Sequence, residues 1–411
     1  MLIGLGVLVL LAAAGAGAAW WWNERQTKDV RGSSTKEFDT TEVVSTRAEE
    51  EIDTEPWPIY GLTPDRTRNA VDFDHRPPFR RAWVTQGHGL LEFPPVIAYG
   101  RLYFSNQFGL FSALSADTGK PDWHRKIGYI SAASPAVGDG IVYQPFMNRI
   151  GQPRGDSSGL VVAMDAETGD ELWRFKAGAV ESSPLLAEGT LYFGSFDGNV
   201  YSLDAKTGKV RWKFKTGGRV KGGPALSHGV LYAGSYDGKL YALDAASGRR
   251  EWVSKGQSGL FGSGTFYAGP AVAYGRIFIG STSGKVYAFG AKSGDLLWSK
   301  TTANYVYSSA ALADRRVFVG SYDGHFYALD AATGDTAWSF DAKGQISGSP
   351  TVMAGAVYFS TLAGKTYALD TRNGKVVWTF PDGRYTPLAA DVERTYIVGR
   401  NKLYAFTSPE Q

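Results

Sequence analysis

Residues 321–340 read SYDGHFYALDAATGDTAWSF, and the fold is decided by this stretch. HFYALD and TAWSF are short runs of strand-like alternation, with β-branched and aromatic residues prominent. Asp323-Gly324 supplies the left-handed residue that a tight hairpin before the first run needs. Asp330-Ala331-Ala332-Thr333-Gly334 turns the first run into the second, which carries Trp338. One such hairpin cannot bury its own apolar face, so the pattern predicts further copies packed against it.

The copies are present on both sides. Trp83, Trp123, Trp173, Trp212, Trp252, Trp298, Trp338 and Trp378 are separated by 40, 50, 39, 40, 46, 40 and 40 residues. From Trp123 onward a Gly stands four positions before each: Gly119, Gly169, Gly208, Gly248, Gly294, Gly334 and Gly374. Asp197-Gly198 and Asp237-Gly238 repeat the hairpin turn, and Ser134-Pro135, Ser183-Pro184 and Ser349-Pro350 open their units. Each unit resolves into four runs, such as PTV, AVYFS, KTYALD and VVWTF, separated by Gly-containing turns. Four antiparallel strands in about 40 residues are one blade of a β-propeller. The last unit, 386–406, stops without its Trp, while 79–84, FRRAWV, is a Trp strand with no preceding three. Joining them predicts an all-β, eight-bladed propeller of four-stranded antiparallel blades, the last one closed by the N-terminal Trp83 strand.

These units, from Ala328 to Trp338 and their copies, with the lead-in Trp57-Pro58-Ile59-Tyr60-Gly61 and Arg66-Thr67, resemble the pyrroloquinoline-quinone (PQQ) repeat propellers over about residues 57–406. That family includes quinoprotein dehydrogenases and members that bind no quinone. The resemblance implies that the Trp docks between neighbouring blades, and it does not by itself imply an activity. The dehydrogenases use a vicinal Cys pair against the quinone and hold Ca²⁺ with carboxylates carried in long insertions. Here there is no Cys, and the repeats are near minimal length. The chain therefore looks like the non-enzymatic branch, similar in role to the propeller lipoprotein of the outer-membrane β-barrel assembly machinery. A PQQ-dependent oxidoreductase using PQQ with Ca²⁺ is kept as an alternative; otherwise no cofactor and no metal is expected.

Composition narrows the remaining classes. The 411 residues include 12 Trp, 51 Gly and no Cys, with 43 Lys and Arg against 40 Asp and Glu. Without thiols there is no disulfide framework, Cys-ligated zinc, iron–sulfur cluster or covalently attached haem. A nearly balanced charge does not suggest a nucleic-acid partner. The five His stand at unrelated positions of the repeats, and no metal-binding pair, nucleophile elbow or phosphate loop accompanies them.

Residues 1–22 carry no charge and as a helix would reach about 33 Å, enough to cross a hydrocarbon core of about 30 Å. Trp20, Trp21 and Trp22 end the segment where aromatic rings favour the interface. It reads as a single transmembrane anchor; cleavage at Ala16-Gly17-Ala18 as a signal peptide is the alternative. Arg25, Lys28 and Arg31 follow it, which argues for a cytoplasmic propeller, whereas the family resemblance argues for an extracytoplasmic one. Residues 23–56, acidic over 42–55, read as a disordered linker, and 57–411 as the propeller domain, expected to be a monomer.

Two features break the repeat. The longer Trp123–Trp173 and Trp252–Trp298 intervals place their extra residues within 144–158 and 254–268, at connections that emerge on the same propeller face. Loops on a rigid scaffold carry binding, so Phe146, Met147, Arg149, Phe261 and Phe266 are candidate protruding contacts for a protein partner. The positions three before each opening Pro or its equivalent are Glu92, Ala132, Glu181, Lys221, Tyr267, Tyr307, Ser347 and Arg384. They should circle the central opening on that face, with Glu181 beside Lys221 and Arg384 beside Glu92. Of these, Glu92, Glu181, Lys221, Tyr267, Tyr307 and Arg384 are candidate residues for a polar small-ligand site. The leading expectation is a membrane-anchored, extracytoplasmic interaction scaffold in an envelope complex; the alternatives are the quinoprotein and a small-ligand sensor.

Overall fold

The computed structural model describes residues 27–41, 47–151, 158–258, 264–385 and 388–408. The candidate anchor 1–22 and the side chain of Phe261 lie outside them. Among the described residues no helix is long and apolar enough to cross a membrane. The described residues contain thirty-two strands in eight four-stranded antiparallel sheets. Seven blades follow the chain in order, from Val96–Lys126 in blade 1 to Thr351–Phe380 in blade 7. In blade 8, Arg80–Gln86 pairs along Lys402–Thr407, which continues through Thr395–Val398 to Leu388–Ala390. The ring thus closes where the sequence expects it.

Blade packing explains the Trp–Gly spacing. In blades 1 to 7 the register slips by one residue just before the Trp, as between Ser202 and Leu203 opposite Trp212. The bulge strengthens the local twist and turns the ring toward the next blade. Trp212 Nε1 donates to the Ala245 carbonyl oxygen at 2.9 Å, Trp123 to Ala166 and Trp298 to Ala331 in the same way. A side chain at Gly248 would place its Cβ 2.6 Å from the Trp212 ring, and the φ of Gly248 is +72°. Glycine is required there twice over, for its left-handed backbone and for the flat ring resting on it. Trp83, Trp173, Trp252 and Trp338 face Gly119, Gly208, Gly294 and Gly374 in the same way. For Trp378, which faces the closing blade, the contacts are aromatic: Phe79 at 5.1 Å, edge-on, and Phe380, stacked at 5.8 Å.

The lead-in segment is a plug. Trp57 bridges Ile97 of blade 1, and the carbonyls of Pro58, Pro64, Asp65, Thr67 and Arg68 accept from Val137, Leu226, Val272, Leu312 and Val352. These amides belong to the innermost strands of blades 2, 4, 5, 6 and 7, so the segment winds around the inside of the ring. Tyr60 reaches Ser349 on one side at 2.8 Å, and Arg66 reaches the Ser183 carbonyl on the other at 2.9 Å. The channel is closed at this level.

The expectation of a free tether between 23 and 56 fails for its described parts. Ser299 donates to the Val30 carbonyl at 2.9 Å and Gly32 to Thr333 at 3.0 Å, so the chain runs along the outer strand of blade 5. Arg276 donates to the carbonyls of Ser33, Lys36 and Glu37, and its guanidinium carbon lies 4.8 Å from the Phe38 ring centroid. Lys285 pairs with Asp29 at 2.8 Å. A short helix, Glu49–Thr54, then leads to Glu55, which accepts from Tyr99. Composition alone hid this docking because many of the bonds use the backbone of 30–39, which any sequence supplies, and the others join isolated charges, Asp29, Arg31 and Lys36, to partners more than 250 residues away.

Candidate functional site

Above the plug the ring widens into a funnel of about 750 Å³. Its wall is built from the turns between second and third strands and from the crossings between blades, the two kinds of connection identified in the repeat. Glu92, Ala132, Glu181, Lys221, Tyr267, Tyr307 and Ser347 all line it. The eighth place belongs to Tyr385, not to Arg384, whose guanidinium carbon lies 5.1 Å from the Tyr385 ring centroid. The register departs at Asp382-Gly383: Asp382 accepts from the Gly383 and Arg400 amides and from the Tyr404 hydroxyl, shaping this crossing unlike the others.

Glu181 and Lys221 form an ion pair at 3.2 Å, with side chains only 13% and 18% exposed. Tyr267 donates to the other Glu181 oxygen at 2.5 Å. The Lys221 ammonium is surrounded by the rings of Phe196, Tyr236 and Tyr267 at 4.6, 5.2 and 5.3 Å, close enough for cation–π attraction. Burial, with the Glu181 charge adding to it, holds the Tyr236 and Tyr267 hydroxyls well above the usual phenol range. Both remain neutral hydrogen-bond donors at any physiological pH. Tyr267, Tyr307 and Tyr322 continue the aromatic wall, with successive centroids 4.7 and 4.9 Å apart.

The proposed protruding contacts need correction. Phe146 is fully buried, because the insertion in blade 2 lengthens the hairpin strands and Phe146 pairs with Leu160 in register. Met147 is buried against Ala132 and Ala179 and meets the funnel from inside. Phe266 is buried edge-on to Tyr287 and Phe289. Counting back from the opening Pro, it stands where Val180, Val220, Val306 and Ile346 stand in other units, all fully buried. That equivalence was the available signal. Arg149 is exposed as expected. Among the described residues, the large apolar side chains that protrude at the mouth are Phe108, Ile150 and Tyr305, which are 53%, 46% and 48% exposed. Phe108 and Ile150 line the funnel itself, and Tyr305 packs on Tyr307 and Tyr322 of its wall. Phe108 and Tyr305 sit in connections of ordinary length, where interval widths give no warning.

His88 and His124 lie 6.4 Å apart without a third ligand type beside them, and His75 is used structurally, its Nε2 2.7 Å from the Asp391 carbonyl oxygen. Among the described residues no three His, Cys, Asp or Glu group together to hold a metal ion. The chain has no Cys, so the vicinal Cys pair that the family resemblance associates with the quinone has no counterpart here.

Comparison with solved structures places this architecture among known propellers. BamB from Moraxella catarrhalis superimposes with a TM-score of 0.65 at 18% identity, over 80% of this chain and 99% of that one. A quinohemoprotein alcohol dehydrogenase from Comamonas testosteroni gives 0.71 at 14% identity, over 86% and 82%. The computationally designed Ika8 protein gives 0.67 at 15%, over 80% and 100%. At these identities the likeness is one of fold. No curated protein matches the sequence. The PQQ_2 family model, described as outer membrane protein assembly factor BamB, matches residues 157–304 and 261–411. Those matches span more than half of the sequence, so the chain belongs to this family of PQQ-repeat propellers.

Proposed function

We propose that this chain is a protein-interaction scaffold of the cell envelope that meets its partner through the mouth of the funnel. The observation that carries the reading is the rim: Phe108, Ile150 and Tyr305 are exposed around one concave, aromatic-walled opening, with Arg149 beside them. Single exposed apolar residues are ordinary. Aromatic and Arg side chains gathered at a concavity are the composition of an interface centre. The family description as an outer membrane assembly factor supports the envelope setting and, with it, a propeller outside the cytoplasm; the apolar segment 1–22 supports a membrane tether.

The test is site-specific crosslinking in cells. A photoreactive residue at Tyr305 or Phe108 is expected to capture a discrete partner, whereas one at Val210, equally exposed on an outer strand, is not. Equal capture from all three sites, or none from the rim, would overturn the reading. A second reading, a small ligand in the funnel, is favoured by the enclosed Glu181–Lys221 pair. It predicts a stabilising ligand whose effect disappears in Glu181→Ala and Lys221→Ala.

A further inference from the structure

The floor of the funnel holds two guanidinium groups that the scaffold reading does not use. Arg66 and Arg68 are 0% and 2% exposed, and both contribute to the cavity lining. Arg66 donates to three carbonyl oxygens, those of Tyr60, Ser183 and Pro224. Arg68 donates through Nη1 to the carbonyls of Arg66 at 2.8 Å and Ala310 at 3.3 Å. Its Nε and Nη2 are buried without a hydrogen-bond partner. Among the described residues neither guanidinium meets a carboxylate at ion-pair distance. The neighbouring acid, Asp65, is turned to Thr63 and Thr67, its Oδ1 2.5 Å from the Thr63 hydroxyl.

Burying a cation away from water is costly unless a counter-charge and hydrogen bonds compensate it. Here two cations stand against one acid, with the Tyr60 ring, its centroid 4.8 Å from the Arg68 guanidinium carbon, as partial compensation. Desolvation depresses the pKa of Arg66 to about 9, with the neighbouring Arg68 charge adding to it, and desolvation moves Arg68 in the same direction. Higher in the funnel the charges balance, Arg219 and Lys221 against Glu92 and Glu181, so the uncompensated charge lies at the floor. Hydroxyl donors are also present. Ser349 Oγ accepts from Tyr60 and from the Ser309 amide, which leaves its own proton for an acceptor.

We propose that the funnel floor binds one compact oxyanion, a carboxylate or phosphate group, with Arg68 as its charged ligand and Ser349 as a neutral donor. The same chemistry is offered by a free small anion and by a carboxylate at the tip of an inserted partner segment. Either would supply the counter-charge that Arg66 and Arg68 lack. Binding at the floor does not depend on the rim residues, so it stands apart from the scaffold reading.

The experiment uses the full chain and compares inorganic phosphate with chloride at equal ionic strength. A saturable rise in Tm of roughly 3 °C is expected with phosphate, weakened at least about tenfold in concentration dependence by Arg68→Gln. A short peptide with a free C-terminal carboxylate, tested against its amidated form, separates the two sources: an effect of phosphate alone marks a free anion, and an effect of the free-acid peptide alone marks a partner's carboxylate. No saturable effect of either probe would overturn the proposal, as would an Arg68→Gln protein that responds like the parent. Should Arg68→Gln fail to fold, anomalous diffraction from selenate-soaked crystals decides: a peak at Arg68 supports the site, and its absence at saturating selenate refutes it. The triple variant Phe108→Ser, Ile150→Ser, Tyr305→Ser should keep the phosphate response while losing partner capture.

Discussion

Two rings of side chains run around this propeller, and they obey opposite rules. The outer ring is made of Trp residues on the fourth strands, seven of which rest on a glycine or a matching backbone carbonyl of the following blade. The inner ring, at the funnel wall, reads Glu92, Ala132, Glu181, Lys221, Tyr267, Tyr307, Ser347 and Tyr385. Nearly identical backbone frames hold both. Where one blade packs on the next, the geometry admits a single solution and the sequence repeats it. Where the frame faces an open cavity, eight equivalent positions carry acid, base, aromatic and small side chains, and that variety is what gives the funnel chemical character.

The sharpest way to break the contrast is to treat the outer ring as interchangeable. Trp212→Ala removes a ring that is 9% exposed and its bond to Ala245, and should cost about 3–5 kcal/mol in denaturant unfolding. Trp173→Ala should fall within about 1 kcal/mol of it, since its partners are equivalent. A much larger spread would show that the blades are not energetically alike. Gly248→Ala tests the other half of the contact. A Cβ 2.6 Å from the Trp212 ring, at φ +72°, should destabilise by about 2–4 kcal/mol.

The inner ring should respond to identity, not to position. Lys221→Met leaves Glu181 partly buried without its cation, and a loss of about 1–3 kcal/mol is expected; Glu181→Gln combined with it should recover part of that in a double-mutant cycle. Ser347→Ala, at the equivalent place in blade 7, should be nearly silent. The smallest effect concerns the repeat turns. Asp165 is held below its usual range by the Thr168 amide, and Asp204 is lowered to about 2 by Arg211, with Thr207 adding to it. A carboxyl with a depressed folded pKa adds stability that is complete above its unfolded value near 4 and is lost as pH falls toward 2. Asp204→Asn should therefore lower Tm slightly at pH 7 and by less at pH 2, where about half of the Asp204 carboxyls are already protonated, as read by calorimetry.

The regularity of the outer ring is why the blade count and the ring closure were legible from spacing alone. The inner ring was legible for seven of its eight places, because the opening Pro fixes the register, and it failed at Arg384, where Asp382 reshapes the crossing. Phe146, Met147 and Phe266 depart from the expected rim because an apolar residue in a long connection need not face outward. Phe146 belongs to a lengthened strand, and Phe266 to an interblade core position that other units fill with Val or Ile. The docking of residues 27–41 left no side-chain pattern in its own sequence. Its trace is in the target: Leu296 and Leu297 stand on the outer strand of blade 5, and Leu297 is 6% exposed, where Val376 and Val377 of blade 7 are 46% and 49% exposed.

The closing pair of strands also sets a schedule. The hydroxyl of Thr407 bonds the Arg80 carbonyl across a sequence separation of 327 residues. At a synthesis rate of about 5–20 residues per second, the first strand exists for about 15–65 s before its partner has been made. During that wait an unpaired β edge is open to any other chain nearby. Arg80 and Arg81, both exposed at the head of this strand, place like charge on that edge and oppose pairing between two nascent copies.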